Sequence, residues 1–290
     1  MGNSKIQWTD ATWNPVVGCT KVSTGCDNCY AERMAYRLAC MALADIKAGR
    51  DPGVKRHYLD VIHLSGPNKG KWNGKVKCVP EALEIPLHWK NPRMIFVCSM
   101  SDLFHPLVPF EFIAEVYKTA AFTEWHTHQF LTKRIERALE FFKWLENKHT
   151  YDGGALMFRG VETYWQYKPW PLPNVWLGVT AENQEMADKR IPILLQIPAA
   201  VRFVSIEPML SEIDLRLYSP KSQAQRIAFG NRGSFTGKGY TRPIPEQCQR
   251  TNVPVFVKQI HLNGKAKAIE KIKQFPEDLR IREYPKGGEV

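Results

Sequence analysis

The chain has 290 residues, of which 44% are hydrophobic, and this is enough to bury a substantial core. It has no apolar run of transmembrane length, and residues 1–5 lack a signal-peptide or myristoylation pattern, so we expect a cytoplasmic protein without a membrane partner. The formal net charge of +11 predicts a polyanionic partner, foremost nucleic acid, the alternative being a basic charge that serves only solubility.

The first chemical feature along the chain is the cysteine loop, which we define as residues 19–30. Its sequence, CTKVSTGCDNCY, holds three of the seven cysteines in the spacing C-x6-C-x2-C. An apolar run at 13–18 precedes it and a helical pattern at 31–38 follows, so we expect the loop to join a strand to a helix. Three thiolates on one loop can hold a metal centre and leave one coordination position open.

Three interpretations of these cysteines are open: an iron–sulfur site, a closed zinc site and unligated thiols. Zinc would need a fourth ligand, which Cys40 or His57 could supply, although a lone cysteine in a helical pattern such as Cys40 is usually a small core residue. The odd count disfavours disulfides. The remaining cysteines are scattered, are expected to be structural and provide no second cluster loop: Cys40, Cys78, Cys98 and Cys248.

Beyond the loop, continuous apolar strands alternate with amphipathic helices. Strands are predicted at 94–98, 129–131, 175–179, 202–206, 226–229 and 254–257, and helices at 109–122, 135–145 and 184–195. This alternation is typical of a parallel sheet covered on both faces. With the run before Cys19, it predicts an α/β fold of about six to seven β/α units, forming a parallel TIM-like barrel or partial barrel in one domain, 1–290.

Three basic segments with interleaved aromatic residues interrupt the alternation, at about 48–92, 148–174 and 230–242. Such segments can hold a nucleic-acid backbone and stack on splayed bases. The alternative is solvated loops whose aromatic residues fold back on the core, which we favour for Trp165 and Trp170. For the glycine-rich segment 230–242 we favour function, because glycine lets the backbone approach a phosphate closely.

Polar residues cluster where the predicted strands end. They are Ser99, Ser101, Asp102, Lys133, Arg134, Thr180, Glu182, Asn183, Ser205, Glu207, Lys258 and Gln259. The carboxyl ends of parallel strands meet at one edge, and active sites of barrels lie there. We therefore expect these side chains to belong to the site, although Asp102 and Asn183 also have the positions of helix caps.

Residues 13–15 followed by Cys19, Cys26 and Cys29-Tyr30-Ala31 resemble the cluster loop of the radical S-adenosylmethionine (radical SAM) superfamily. They most resemble a branch that is common in bacteriophage genomes and distantly similar to spore photoproduct lyase. The similarity continues through residues 175–179, 202–208 and 255–259. The commonest superfamily loop is C-x3-C-x2-C, so the longer first spacing is a departure, which the phage-associated branch accommodates.

The resemblance implies a [4Fe–4S] cluster on Cys19, Cys26 and Cys29, with SAM on the fourth iron. An electron from a flavodoxin or ferredoxin would break the C5′–S bond of SAM, and the 5′-deoxyadenosyl radical would take hydrogen from the substrate. The three cysteines are therefore the expected catalytic and metal residues. The resemblance and the strand ends together place cofactor contacts at Tyr30, Ser99, Ser101, Asp102, Lys133, Thr180, Glu182, Asn183, Ser205 and Glu207.

Substrate contacts are expected at Arg134, Asn231, Arg232, Lys258 and Gln259. Relatives often carry Gly-Gly-Glu-Ser where this chain reads Gly-Asn-Arg-Gly-Ser at 230–234, which we interpret as specialisation toward an anionic substrate; the competing interpretation is an inactive relative. The phage context and the charge suggest an isomerase or lyase acting in thymine hypermodification of phage DNA. The alternatives are a radical SAM enzyme for a small molecule or peptide, and a non-catalytic zinc-containing nucleic-acid-binding protein.

Overall fold

The computed structural model describes residues 4, 6–151, 155–159, 165–215, 226–229, 243–250, 254–257, 271, 273, 277 and 280–283. The chain divides into two compact units. The first comprises Met1–Lys5 and Thr9–Phe130, and the second comprises Ile6–Trp8 and Leu131–Val290. The single domain expected from the sequence stays a prediction.

The first unit is built on parallel strands. Its elements are β1 (Ala11–Trp13), β2 (Val16–Val17), α1 (Tyr30–Lys47), β3 (Lys77–Cys78), β4 (Met94–Val97), α2 (Phe110–Phe122) and β5 (Thr127–Thr132), of which the last two residues fall in the second unit. β4 pairs in parallel with both β1 and β5. β2 instead pairs antiparallel with β3, with Val16 opposite Cys78.

The apolar run before the cysteines is therefore two strands, where the sequence pattern predicted one. Residues 14 and 15 separate β1 from β2. Pro15 has no N–H to give to a ladder. The side chain of Asn14 accepts hydrogen bonds from the Ser99 hydroxyl at 3.1 Å and the Met100 amide at 3.0 Å. The chain consequently leaves the parallel sheet just before the cysteine loop.

Aromatic residues fill the core of the first unit. Tyr117 of α2 stacks on Phe130 of β5 with ring centroids 4.7 Å apart. Trp13 is buried and donates its indole N–H to the carbonyl of Ala82 at 2.7 Å. Burial of each such side chain contributes about 2–3 kcal/mol. The bond from Trp13 fixes the carboxyl end of β1, from which the chain continues toward the cysteine loop.

The basic segment 48–92 packs on α1 and has a core of its own. Ala35, Ala39 and Ala42 form a fully buried small-residue stripe on α1. The 3₁₀ segment Gly53–Asp60 places Tyr58 against this stripe, in a cluster that also includes Val61. Burial raises the pKa of the Tyr58 hydroxyl. This part of the chain is thus a packed layer over α1, the helix that directly follows the cysteine loop.

The second unit contains a parallel sheet and a small antiparallel one. Its elements are α3 (Ile135–His149), β6 (Thr150–Tyr151), β7 (Ala155–Arg159), β8 (Trp165–Pro169), β9 (Val175–Thr180), α4 (Gln184–Leu194), β10 (Val201–Ile206), β11 (Arg226–Phe229), α5 (Pro243–Arg250) and β12 (Val255–Val257). β9, β10, β11 and β12 pair in parallel in that order. β6, β7 and β8 are antiparallel, so much of the segment 148–174 is sheet where the sequence analysis expected loops.

The predicted α/β class with parallel strands is confirmed, whereas closure into a barrel stays a prediction. Strand and helix positions follow the predicted order, and β11 matches its predicted bounds, 226–229. Within the described residues, we find no helix with the length and apolarity needed to span a bilayer.

Candidate functional site

The cysteine loop lies between β2 and α1. Cys19, Cys26 and Cys29 carry reduced thiols and are partly exposed. Cys26 ends a 3₁₀ turn, Thr24–Cys26, and Cys29 is the N-cap of α1, which is 18 residues long. The amino end of such a helix stabilises negative charge. Tyr30, the first residue of α1, is 43% exposed, so much of its ring faces solvent.

Gly18 fixes the point at which the loop begins. Its φ of +89° lies in the left-handed region, which favours glycine. A Cβ at this position would collide with the carbonyl oxygen of Lys75 and would lie 3.0 Å from Cγ1 of Val61. Gly18 also forms an isolated parallel bridge with Ser101. The loop therefore starts in a tight gap that only glycine fits.

The polar residues that follow β4 are hydrogen-bonded, two of them to the chain just before the cysteine loop. Ser99 donates to Asn14, as described above, and the Ser101 hydroxyl donates to the carbonyl of Val16 at 2.7 Å. Asp102 is buried, and its carboxylate accepts from the amide of Phe104 at 3.0 Å. The structure thus gives all three predicted cofactor contacts an internal hydrogen bond, and their contact with SAM stays a prediction.

His105 positions the cysteine loop, although no motif in the sequence indicated this role. It is buried, and its Nδ1 accepts from the amide of Leu107 at 3.2 Å. Nε2 therefore carries the proton of the neutral ring and donates to the Thr20 hydroxyl at 2.8 Å. A histidine beside Pro106, directly after the polar strand end, was the available signal.

The cysteines outside the loop differ in exposure, since Cys98 and Cys248 are buried, Cys78 is partly exposed and Cys40 is exposed. Burial raises the pKa of Cys98 and of Cys248 to about 12, which keeps both as thiols. Cys40 is exposed, so its predicted place in the core is wrong. Cys40 lies off the buried stripe of α1. The apolar residues of this helix extend beyond that stripe, which is why the sequence pattern suggested a buried position.

The donor set of the loop suits a thiolate-bound metal centre in its chemistry, since three thiols occur within one short loop. Among the described residues, however, no group of three or more His, Cys, Asp or Glu side chains could hold a metal ion as placed.

The second unit has a buried ion network at the end of β9. Glu182 is fully buried, and its Oε2 lies 2.8 Å from Nη1 of Arg190 and 3.5 Å from Nζ of Lys133. The same Arg190 nitrogen donates to the carbonyl of Thr180 at 2.7 Å. A buried carboxylate is costly unless it is paired and hydrogen-bonded. Glu182 thus connects the end of β9 with α4 and with Lys133, which follows β5.

The other predicted residues of this unit have local structural contacts. Asn183 is the N-cap of α4 and accepts from the Met186 amide at 2.9 Å, as the cap alternative predicted. The backbone carbonyl of Ser205 accepts from the Ala181 amide at 2.9 Å, and Arg134 donates its amide N–H to the Thr132 hydroxyl at 2.8 Å. Glu207 is partly exposed.

Four predicted substrate residues lie outside the described part of the chain: Asn231, Arg232, Lys258 and Gln259. The glycine-rich segment 230–242 also lies outside it. Their predicted roles therefore stay predictions.

A family model described as "Protein of unknown function (DUF5131)" matches residues 3–279. The chain belongs to the DUF5131 family. Comparison with curated proteins and with solved structures gave no match. The description of DUF5131 assigns no activity to the family.

Proposed function

We propose that this chain is a radical SAM enzyme whose [4Fe–4S] cluster is held by Cys19, Cys26 and Cys29. The observation that supports this most is the loop itself, which presents three partly exposed thiols between a strand and a helix. When bound, the cluster would supply one electron for cleavage of the C5′–S bond of SAM, giving methionine and a 5′-deoxyadenosyl radical that takes hydrogen from the substrate. The partial TIM-like barrel belongs to the same proposal.

The chain's own residues would position the loop for this role. Gly18 sets its entry, His105 holds Thr20, and α1 begins at its far end. Because metal binding couples to the folding of the segment that carries the ligands, cluster binding should further stabilise this loop. The charge of the N-terminal end of α1 favours an anionic centre beside Cys29.

We propose that the substrate group is carried on nucleic acid, because the net charge is +11 and basic residues are dense in the layer over α1. The reaction would be an isomerisation or related rearrangement in thymine hypermodification of phage DNA. The protein would work in the cytoplasm, with a flavodoxin or ferredoxin as electron donor.

The test is an anaerobic assay of reconstituted, reduced protein with SAM and one of three additions: thymine-hypermodified phage DNA, unmodified DNA or no DNA. We expect 5′-deoxyadenosine to form with the modified DNA only. Cys26→Ala should abolish its formation, whereas Cys40→Ala, which changes an exposed cysteine on α1, should not.

Equal 5′-deoxyadenosine formation without DNA would favour the small-molecule or peptide alternative and contradict the proposed substrate. No 5′-deoxyadenosine under any condition, together with stoichiometric zinc in the protein, would favour the non-catalytic zinc protein and contradict the proposed enzyme.

A further inference from the structure

A cleft of about 460 Å³ lies between the cysteine loop and the segment 48–92 in the first unit. Thr20 and Lys21 line it from the loop, and Asn68, Lys71 and Trp72 line it from the segment. Its volume lies within the range of about 300–1,000 Å³ that is typical of small-ligand sites. Lys21, which lines the cleft, lies between Cys19 and Cys26 in the sequence, so part of the cleft wall belongs to the cysteine loop.

Two lysine side chains give the cleft its charge. Lys21 is 43% exposed and has a 3.6 Å ion pair with Asp27, whose side chain is 61% exposed. Such an exposed pair is weak and exchanges easily for a ligand anion. Lys71 is 54% exposed, and its ammonium contacts Glu32 at 3.2 Å. An ammonium has three N–H donors, so Lys71 can bind a second anion while it keeps this contact.

The one carboxylate in the cleft is engaged with the protein. Glu32 is 3% exposed, and its Oε1 accepts from the backbone amide of Trp72 at 3.0 Å while its Oε2 pairs with Lys71. Among the residues that line the cleft, the two lysines therefore exceed the carboxylate by one positive charge. The Glu32 carboxylate also fixes the backbone of residue 72, so that the wall is built before a ligand arrives.

Trp72 provides an aromatic wall. It packs against the apolar cluster over α1, and its backbone bridges to Ile62. Beside it, Gly74 has a φ of +85°, and nothing lies within 4 Å of where its Cβ would be. An indole that lines the cleft can stack with a nucleobase, and the Asn68 amide can bond with a base edge.

We propose that this cleft binds one nucleotide of a single-stranded nucleic acid, with its base on Trp72 and its phosphates on Lys21 and Lys71. The cleft would be the binding site for the substrate of the proposed function. Only the purpose of the binding, and not the binding itself, rests on that function. The binding itself requires no cluster. It would bring the strand next to the cysteine loop.

The test uses the full chain without cluster and a fluorescently labelled twelve-nucleotide single-stranded DNA, with RNA of matched sequence as a second probe. Binding is measured by anisotropy at several salt concentrations. We expect Lys21→Gln with Lys71→Gln to weaken binding at least tenfold and to lower the salt slope by about 1.4, the value for two lost phosphate contacts. Trp72→Leu should weaken it at least about fivefold, and Trp72→Phe should retain most of it.

The matched control is Lys143→Gln with Lys189→Gln, which removes the same charge from exposed lysines outside the cleft and outside the three basic segments. Binding close to that of the wild type in this control and in Trp72→Phe, together with weaker binding in the cleft pair, would support the cleft. The probe that binds more tightly would identify the strand as DNA or RNA. Equal weakening in the control and in the cleft pair would overturn it, as would displacement of the DNA by SAM or by free adenosine monophosphate at equal concentration. A circular dichroism spectrum like that of the wild type shows that each variant is folded.

The two proposals fail separately. Iron loading and SAM cleavage with normal DNA binding by the cleft variants would contradict the cleft alone. DNA binding that depends on the cleft, in a protein that never forms 5′-deoxyadenosine, would contradict the enzyme alone.

Discussion

The hydroxyl of Thr20 and Nε2 of His105 lie 2.8 Å apart, and this bond connects the cysteine loop to the segment that follows β4. Thr20→Val removes the hydroxyl at nearly constant volume, at a cost of about 1 kcal/mol for the lost bond. We therefore expect the thiol of Cys19 to be alkylated faster, by up to about tenfold. Peptide mass spectrometry after brief iodoacetamide treatment measures this rate.

Thr20→Ser keeps a hydroxyl and is the matched control, with an expected alkylation rate close to that of the wild type. The Cys40 thiol, which is exposed on α1, is an internal reference in every sample. Unchanged Cys19 reactivity in Thr20→Val would show that His105 does not position the loop.

Gly18→Ala should destabilise the first unit more than Gly49→Ala does. Both glycines have positive φ, of +89° and +68°, and nothing lies within 4 Å of the place a Cβ would take at Gly49. The conformational cost alone is about 1–2 kcal/mol. Collision with the carbonyl of Lys75 should add about 1–3 kcal/mol at Gly18. Urea unfolding gives both free energies, and equal losses would contradict the tight gap at Gly18.

Removal of the Glu182 charge should cost about 3–5 kcal/mol of unfolding free energy, because Glu182→Gln leaves Arg190 buried without its carboxylate. The exposed pair of Lys189 and Glu136, 3.1 Å apart, is the control, and Glu136→Gln should change stability by less than about 1 kcal/mol. The double change Glu182→Met with Arg190→Met should lower the free energy of unfolding by less than the sum of the losses in Glu182→Met alone and Arg190→Met alone. Additive losses in urea unfolding would argue against a coupled network.

His128 should make the first unit less stable in acid. Burial lowers its pKa from 6.5 to about 3, and its Nδ1 has no hydrogen-bond partner among the described residues. Between these two pH values the unfolded chain binds a proton that the folded chain does not. The contribution of neutral His128 to the free energy of unfolding is therefore fully present above about pH 6.5. It falls by about 1.4 kcal/mol per pH unit as the pH drops toward 3.

Urea unfolding at pH 7.5, 6 and 5 measures this dependence. His128→Gln should flatten it, while His88→Gln, at an exposed histidine, should leave it as in the wild type. The same slope in His128→Gln would assign the acid sensitivity to other groups, of which His126 is the first candidate because burial also lowers its pKa.

Sequence periodicity predicted the long elements well because one apolar stripe decides where they pack. The helix predicted at 109–122 is α2, Phe110–Phe122, and the helix predicted to end at 145 continues to His149. That extension is polar and so lacks an apolar signal. The small antiparallel sheet was missed, although residues 165–168 alternate aromatic and polar side chains with the period of a strand.

Single residues of the candidate site were harder to predict than its location. Asn183 and Glu182 are adjacent and both polar, yet one caps α4 and the other is in a buried ion network. A helix cap and a ligand contact require the same chemical groups, so the sequence cannot separate them. Similarly, the importance of Asn14 and His105 depends on contacts with distant segments that no local pattern encodes.

The most direct test of the central claim is the iron and sulfide content of the protein after anaerobic reconstitution, combined with electron paramagnetic resonance with and without SAM. We predict about four irons per chain, a reduced-cluster signal that SAM shifts, loss of both in Cys26→Ala, and retention of both in Cys40→Ala. A protein that binds no iron, or equal iron in Cys26→Ala and the wild type, would contradict the proposal that Cys19, Cys26 and Cys29 hold a cluster.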